Sequence, residues 1–270
     1  MCQKYTIVDM LNCVNVVSVD DGAQFTNTTR LDNIEKTLRN AGSPWRIIGS
    51  GPLFRLYGRG APVEGKLPVL VSSHADSNYV SHSHRTIGES DEIIGTFDNS
   101  ITNAVVLQLL LNDLLPEGTL VAFTGDEENE SQGAADVITH LRGKNAVPTC
   151  VIVLDITDES NYGSPFTIEN WFPRGSLGLP RNEGSFVDHL LKPFGHQVPT
   201  VHHETALPDE SWRYEEEGVH VFSLCIPTSP PKSNASWHDW MHDEAGVLIR
   251  ADLIPAYGDA IAAICSHLIR

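Results

Sequence analysis

Apolar residues along the chain fall into two kinds of run. Short, continuous runs occur at 67–72 (LPVLVS), 119–124 (TLVAFT), 149–154 (TCVIVL) and 220–226 (HVFSLCI). Runs of that length without polar alternation read as strands buried on both faces, the signature of a parallel sheet covered by helices. The other runs follow a helical period. Residues 29–41 set Leu31, Ile34 and Leu38 on one stripe, with Gly42 as the stop. Ala104–Leu115 reads as a strongly apolar helix ended by Pro116 and Gly118, and Ala134–Leu141, Phe186–Pro193 and Ala251–Leu268 read as further helices. Trp45–Ile48 and Leu53–Tyr57 look like a hairpin around Gly49–Pro52. Residues 75–97 and 157–185 read as polar or Gly/Pro-rich loops.

Strand, helix, strand, helix, strand is the order of an α/β domain with a largely parallel sheet. No internal repeat or dividing linker interrupts the 270 residues, so residues 1–270 are expected to form one domain.

Charge narrows the partners. The formal net charge is −17, and so acidic a surface repels phosphate backbones, which argues against a nucleic-acid partner. The five cysteines, Cys2, Cys13, Cys150, Cys225 and Cys265, are odd in number, widely spaced and without a CxxC pair. Neither a disulfide framework nor a zinc ribbon is suggested, and a reducing compartment fits. Cys150 and Cys225 lie in apolar runs and read as buried. Asp9 and Asn12 break the opening stretch, so it lacks a signal-like apolar segment. No run of about 18 apolar residues occurs, so no membrane span is expected. The expectation is a cytoplasmic protein with no membrane partner.

The ends of the buried runs carry the chemistry. In an open parallel sheet the active site lies beyond the carboxyl ends of the strands. After LPVLVS comes His74-Ala75-Asp76; after TLVAFT comes Gly125-Asp126-Glu127-Glu128; after TCVIVL comes Asp155. Each strand thus delivers a metal-ligand type at the same end. Imidazole mixed with carboxylate suits zinc, manganese or cobalt better than magnesium or calcium. Asp76, two residues beyond His74, stands where it would accept the second ring N–H.

These segments resemble the di-zinc exopeptidase superfamily, which holds aminopeptidases, carboxypeptidases, dipeptidases and deacylases. SSHADSNY, GTFDNSITNA, FTGDEENESQGA, VLDITDE and WMHDEAGVLIRADL occur in the family's order, from about residue 29 onward. Most specific is Glu127-Glu128 followed, after four residues, by Gly133-Ala134. Met241-His242 with Asp252-Leu253 ten residues on also fits. Thr102 and Glu130 stand near places where the family usually has Gly.

The resemblance implies a three-layer sandwich: a mostly parallel, mixed central sheet flanked by helices, zinc-exopeptidase-like. It implies two divalent metal ions, zinc with Co2+ or Mn2+ as alternatives. His74 and Asp155 would bind one, Glu128 and His242 the other, and Asp98 both. His238, one helical turn before His242, is a rival ligand. Glu127 would act as general base toward a water bridging the metals, and Asp76 would orient His74. The 87 positions from Asp155 to His242 leave no room for the inserted lid domain of larger members. The expectation is therefore a metallopeptidase, an aminopeptidase acting on a peptide or amide substrate and compatible with homo-oligomer assembly. A deacylase or amidohydrolase acting on N-acyl amino acids, and a metal-binding scaffold without activity, are the competing readings. Trp171, Phe172 and Arg174 within 161–183 read as a substrate wall or an ordered surface loop. Asp209-Glu210-Ser211 also resembles a family segment near the site, with a solvated loop as the competing reading. His82, His84, His202 and His203 read as surface or loop histidines.

Overall fold

The structure, a computed structural model, describes residues 5–17, 26–59, 68–77, 79, 82–87, 91–172, 199–200, 206–231 and 246–269, with only the backbone of 171 and 172. The Phe186–Pro193 segment, Arg174, His202, His203, His238 and His242 lie outside these residues.

The chain runs α1 (Ile7–Val14), α2 (Thr28–Asn40), β1 (Arg46–Gly51), β2 (Phe54–Gly58), β3 (Val69–His74), β4 (His84–Thr86) and β5 (Glu92–Gly95). It continues α3 (Ser100–Leu111), β6 (Thr119–Thr124), α4 (Gln132–Gly143), β7 (Cys150–Thr157), β8 (Thr167–Phe172), α5 (Ser211–Glu216), β9 (Val221–Pro227), β10 (Val247–Arg250) and α6 (Ile254–Leu268). Seven strands form one sheet in the order β1-β2-β6-β3-β7-β9-β8. Its centre, β6-β3-β7-β9, is parallel, while β1, β2 and β8 join antiparallel at the edges. The mixed, mostly parallel sheet expected from the sequence is present.

Every residue of β3, β7 and β9 is buried, which is why these runs are apolar without alternation. Side chains still alternate between faces. Val69, Val71, Phe123, Ile152 and Leu154 pack in one core that includes residues of α1, α2, α3 and α6. Leu70, Ala122, Val151 and Val153 pack in the other, with residues of α4 and Tyr214 of α5. Helices therefore cover both faces, giving three layers. No helix among the described residues is long and apolar enough to cross a membrane.

Several elements differ from the sequence reading. Asp9, taken as a break in the opening run, is the third residue of α1, and its carboxylate accepts from the Thr6 backbone N–H at 3.0 Å in a capping box. The turn of the hairpin is at Pro52-Leu53, and β1 continues through Gly49–Gly51 with a register shift between Ile47 and Gly49. Two segments expected to be loops contain strands. Within 75–97, β4 and β5 pair with each other, and β10 joins β5 to make a second, three-stranded sheet. Within 157–185, β8 pairs with β9 although Glu169 and Asn170 interrupt its apolar pattern. Helix α3 begins at Ser100, four residues before the apolar pattern does, because its first turns bury polar residues that find partners.

Candidate metal centre

Register aligns the three strand ends. His74 of β3 stands beside Thr124 of β6, and Ser73 beside Leu154 of β7, so Asp155 and the Gly125–Glu128 turn emerge at the level of His74. The imidazole is 1% exposed and ringed by acids. Its Nε2 lies 2.9 Å from Asp98 Oδ1, 3.7 Å from Asp155 Oδ1 and 3.9 Å from Glu127 Oε2. On the other side, Nδ1 lies 3.4 Å from Asp76 Oδ1.

Neither ring nitrogen of His74 makes a directed hydrogen bond. A buried imidazole normally satisfies both. Close approach without hydrogen-bond direction is what ligand atoms converging on a shared ion display: two ligands of a tetrahedral zinc stand roughly 3.4 Å apart. His74, Asp98 and Glu128 each offer a ligand atom within 4.8 Å of the others. The donor set and its dryness fit a borderline divalent cation.

The surroundings hold this geometry. Asp76 Oδ2 accepts the Glu128 backbone N–H at 3.2 Å, so one carboxylate ties the β3 end to the β6 turn. Asn103 Nδ2 donates to Ser73 Oγ at 2.6 Å and to the His74 carbonyl at 2.8 Å. Asn99 follows Asp98 through a cis peptide bond and donates from Nδ2 to the Leu154 carbonyl at 2.7 Å. Thr102, near a place where the family that the sequence resembles usually has Gly, bonds to Ser73 Oγ at 2.7 Å and also donates to Asn99 Oδ1. The departure thus adds a tie between α3 and β3.

In the Glu127 turn, Asp126 adopts φ 66° and its Oδ2 accepts from the Gln132 N–H at the start of α4, at 3.1 Å. The glycine of the Glu-Glu-x4-Gly spacing is required by contact. A Cβ on Gly133 would lie 2.5 Å from the Gly125 carbonyl oxygen and 2.6 Å from that of Leu53, so α4 packs backbone-to-backbone on the turn that carries Glu127.

Electrostatics mark the same place. Burial lifts the Glu127 carboxyl well above the usual range; His74 opposes this, while Asp155, Asp98 and Glu128 add to it. Burial raises Asp155 to about 7 against the pull of His74. For His74, burial alone would lower the pKa, but Glu127, Asp155, Asp76 and Asp98 together outweigh it and hold the ring well above its ordinary value. In the metal-free protein the surrounding acids thus favour the protonated ring, whose proton a divalent cation would displace.

The structure brings His74, Asp76, Asp98, Glu127, Glu128 and Asp155 together; His242 lies outside the described residues. Three further buried groups lie nearby: Glu210 and Asp209, from the segment that the sequence leaves between a family-like site segment and a solvated loop, and Arg30, which sequence reasoning missed. Glu210 is fully buried, accepting from Ser72 Oγ at 2.5 Å and Thr124 Oγ1 at 2.7 Å, and burial lifts it to about 7. Asp209 is buried too, accepting from Ser223 Oγ and Asn170 Nδ2, so the 209–211 segment is no solvated loop. Arg30 of α2 is fully buried beside Ala75. His82 is not a bare surface histidine either: its Nδ1 lies 2.9 Å from Asn15 Oδ1, and burial, then Arg30, press it down to about 3.

No known family's sequence profile matches the chain, and no curated protein matches it in sequence. Solved structures match its fold. Aminopeptidase APDkam598 from the archaeon Desulfurococcus kamchatkensis is 12% identical, over 96% of this chain and 94% of that one, with a TM-score of 0.66. The TET1 peptidase of Pyrococcus horikoshii is 10% identical, over 96% and 99%, with a TM-score of 0.62. A Thermotoga maritima protein described as an endoglucanase is 14% identical, over 95% and 97%, with a TM-score of 0.60. At such identities the likeness concerns the fold alone. The chain has the α/β fold of these structures, two of them described as peptidases, which is the fold that its sequence resemblance implied.

Proposed function

We propose that the chain is a metal-dependent aminopeptidase built as one catalytic domain. The observation that carries this reading is the convergence of buried His74 and Asp98 with half-buried Glu128 within 4.8 Å, with Glu127 close by at 3.9 Å from His74 Nε2. In this reading His74 and Asp155 hold one ion, Glu128 and His242 the other, and Asp98 both. Two divalent ions, zinc with cobalt or manganese as alternatives, would supply Lewis acidity toward the scissile carbonyl and its attacking water.

Glu127 takes the proton from the water and returns it to the leaving amine. Its pKa, raised by burial, suits that work, since a less acidic carboxyl is the stronger base toward the water. Asp76 keeps His74 turned so that Nε2 faces the acids, and fixes the Glu128 backbone with its other oxygen. The TET1 peptidase assembles into a tetrahedron or an octahedral shell. Homo-oligomer assembly of this chain belongs to the same proposal, as does a cytoplasmic location.

Purified protein loaded in turn with zinc, cobalt and manganese is to be assayed on aminoacyl-anilides, N-acyl amino acids and soluble β-glucan. Release of anilide with a metal requirement is the expected result. Turnover of N-acyl amino acids alone would install the deacylase reading, and turnover of glucan alone would overturn both. Stoichiometric metal without turnover of any of them would leave a scaffold.

A further inference from the structure

Arg30 is the one Lys or Arg among the described residues that is buried, with no exposed surface. Its Nε donates to the Val14 carbonyl at 2.7 Å and its Nη1 to the Ala75 carbonyl at 3.1 Å. Nη2 has no partner. A guanidinium fixed through two backbone carbonyls but lacking a hydrogen-bonded carboxylate is an expensive thing to bury, since each keeps its desolvation cost. Ala75 sits between His74 and Asp76, so this charge lies directly behind the candidate ligands. The charges facing it are Asp76, Asp98 and Glu128, which pull its pKa upward. Burial has the larger, opposite effect, yet the group stays at about 10 and is therefore charged at neutral pH.

Five acids, Asp76, Asp98, Glu127, Glu128 and Asp155, crowd the His74 ring and the adjoining turn. Without a divalent cation, repulsion among those that stay ionised opposes folding. With one, the repulsion is largely cancelled. A permanent positive charge behind the cluster therefore matters most when no metal is bound.

We propose that Arg30 is a resident countercharge that holds the acidic centre together in the metal-free protein, so that folding does not depend on metal. This rests on the metal-binding reading of the site. It makes Arg30 a positioning residue with a particular sign of effect. Removing its charge weakens the metal-free protein more than the loaded one. A merely structural role weakens both equally.

The test is thermal unfolding of the full chain in EDTA and in zinc, for wild type, Arg30→Gln and Arg30→Lys. Arg30→Gln is expected to melt much lower in EDTA and to recover in zinc, so that its zinc-induced rise is at least double that of wild type. Arg30→Lys, which keeps the charge and loses the fork, is expected to show a near wild-type rise. Equal losses for Arg30→Gln in EDTA and zinc would overturn the proposal. So would a lysine variant no better than glutamine in EDTA. Should Arg30→Gln not fold, the lysine variant decides: folding with a wild-type zinc response supports the countercharge, and failure alongside glutamine overturns it. A wild-type protein indifferent to zinc, cobalt and manganese would instead sink the metal reading, while the lysine-against-glutamine difference in EDTA still judges the countercharge.

Discussion

Strands β3, β6 and β7 start on Val69, Thr119 and Cys150 and lead into His74, the Glu127 turn and Asp155, and both ends of each are buried. Dryness alone therefore does not distinguish the two ends. At the amino and middle positions, Val71, Val121 and Ile152 meet other apolar groups, and burial stabilises. At the carboxyl end the same dryness surrounds His74 and a set of acids, and there it raises the Glu127 and Asp155 pKa values. One sheet carries an apolar half and a polar half that bears the candidate site, and substitutions at the two should separate cleanly.

The largest effect is expected from Glu127→Gln. Turnover should fall by about two to four orders of magnitude, the usual scale for a general base, while metal content stays and the melting temperature does not drop. A glutamine variant with near wild-type turnover would remove Glu127 from the chemistry.

Next comes Ile152→Ala, in the apolar half. It should cost roughly 2–5 kcal/mol in denaturant unfolding, with metal affinity of the folded protein unchanged. Loss of metal affinity in step with stability would show that the two halves are not separable.

Glu210 sharpens the boundary, since it lies under the site yet is bonded to Ser72 and Thr124 rather than to the proposed ligands. Its folded pKa, about 7, exceeds the ordinary carboxyl value near 4.5. The native state therefore holds a proton that the unfolded chain has already released. Stability from this group falls as pH rises from about 4.5 to about 7, by at most on the order of 3 kcal/mol. Burial drives the shift, the Ser72 and Thr124 hydrogen bonds and then His74 oppose it, and Asp209 adds to it. Glu210→Gln should flatten the slope of unfolding free energy over that window; an unchanged slope would assign it elsewhere.

The smallest effect is expected at Asp126, which sits among the site residues but serves the start of α4. Asp126→Ala should cost about 1 kcal/mol of stability, the usual value of a lost cap, and change turnover less than tenfold.

The parallel core was legible because burial on both faces leaves the strands no choice but continuous apolar runs. His74, Glu127, Glu128 and Asp155 could be singled out in the sequence because each stands within four residues of the end of such a run. Strands β4, β5 and β8 were not, since short or edge strands obey no clear alternation, and Glu169 and Asn170 are polar for local reasons. Asp98 follows no buried run and was reached only through family resemblance. Arg30 did leave a signal. It stands four residues before Ile34, on the stripe that buries Ile34 and Leu38, and an arginine on the apolar face of a helix calls for an acid nearby.

The second sheet has a consequence for His242, the proposed late ligand. β10 pairs with β5 so that Val247 lies opposite Gly95, three residues before Asp98. Only five bonds of backbone virtual length separate His242 from Val247. An extended chain covers about 3.3–3.6 Å per residue, so His242 is on a leash of no more than roughly 18 Å from a point stapled next to Asp98. The length of the 243–246 connector, more than its composition, sets how far that leash can pay out.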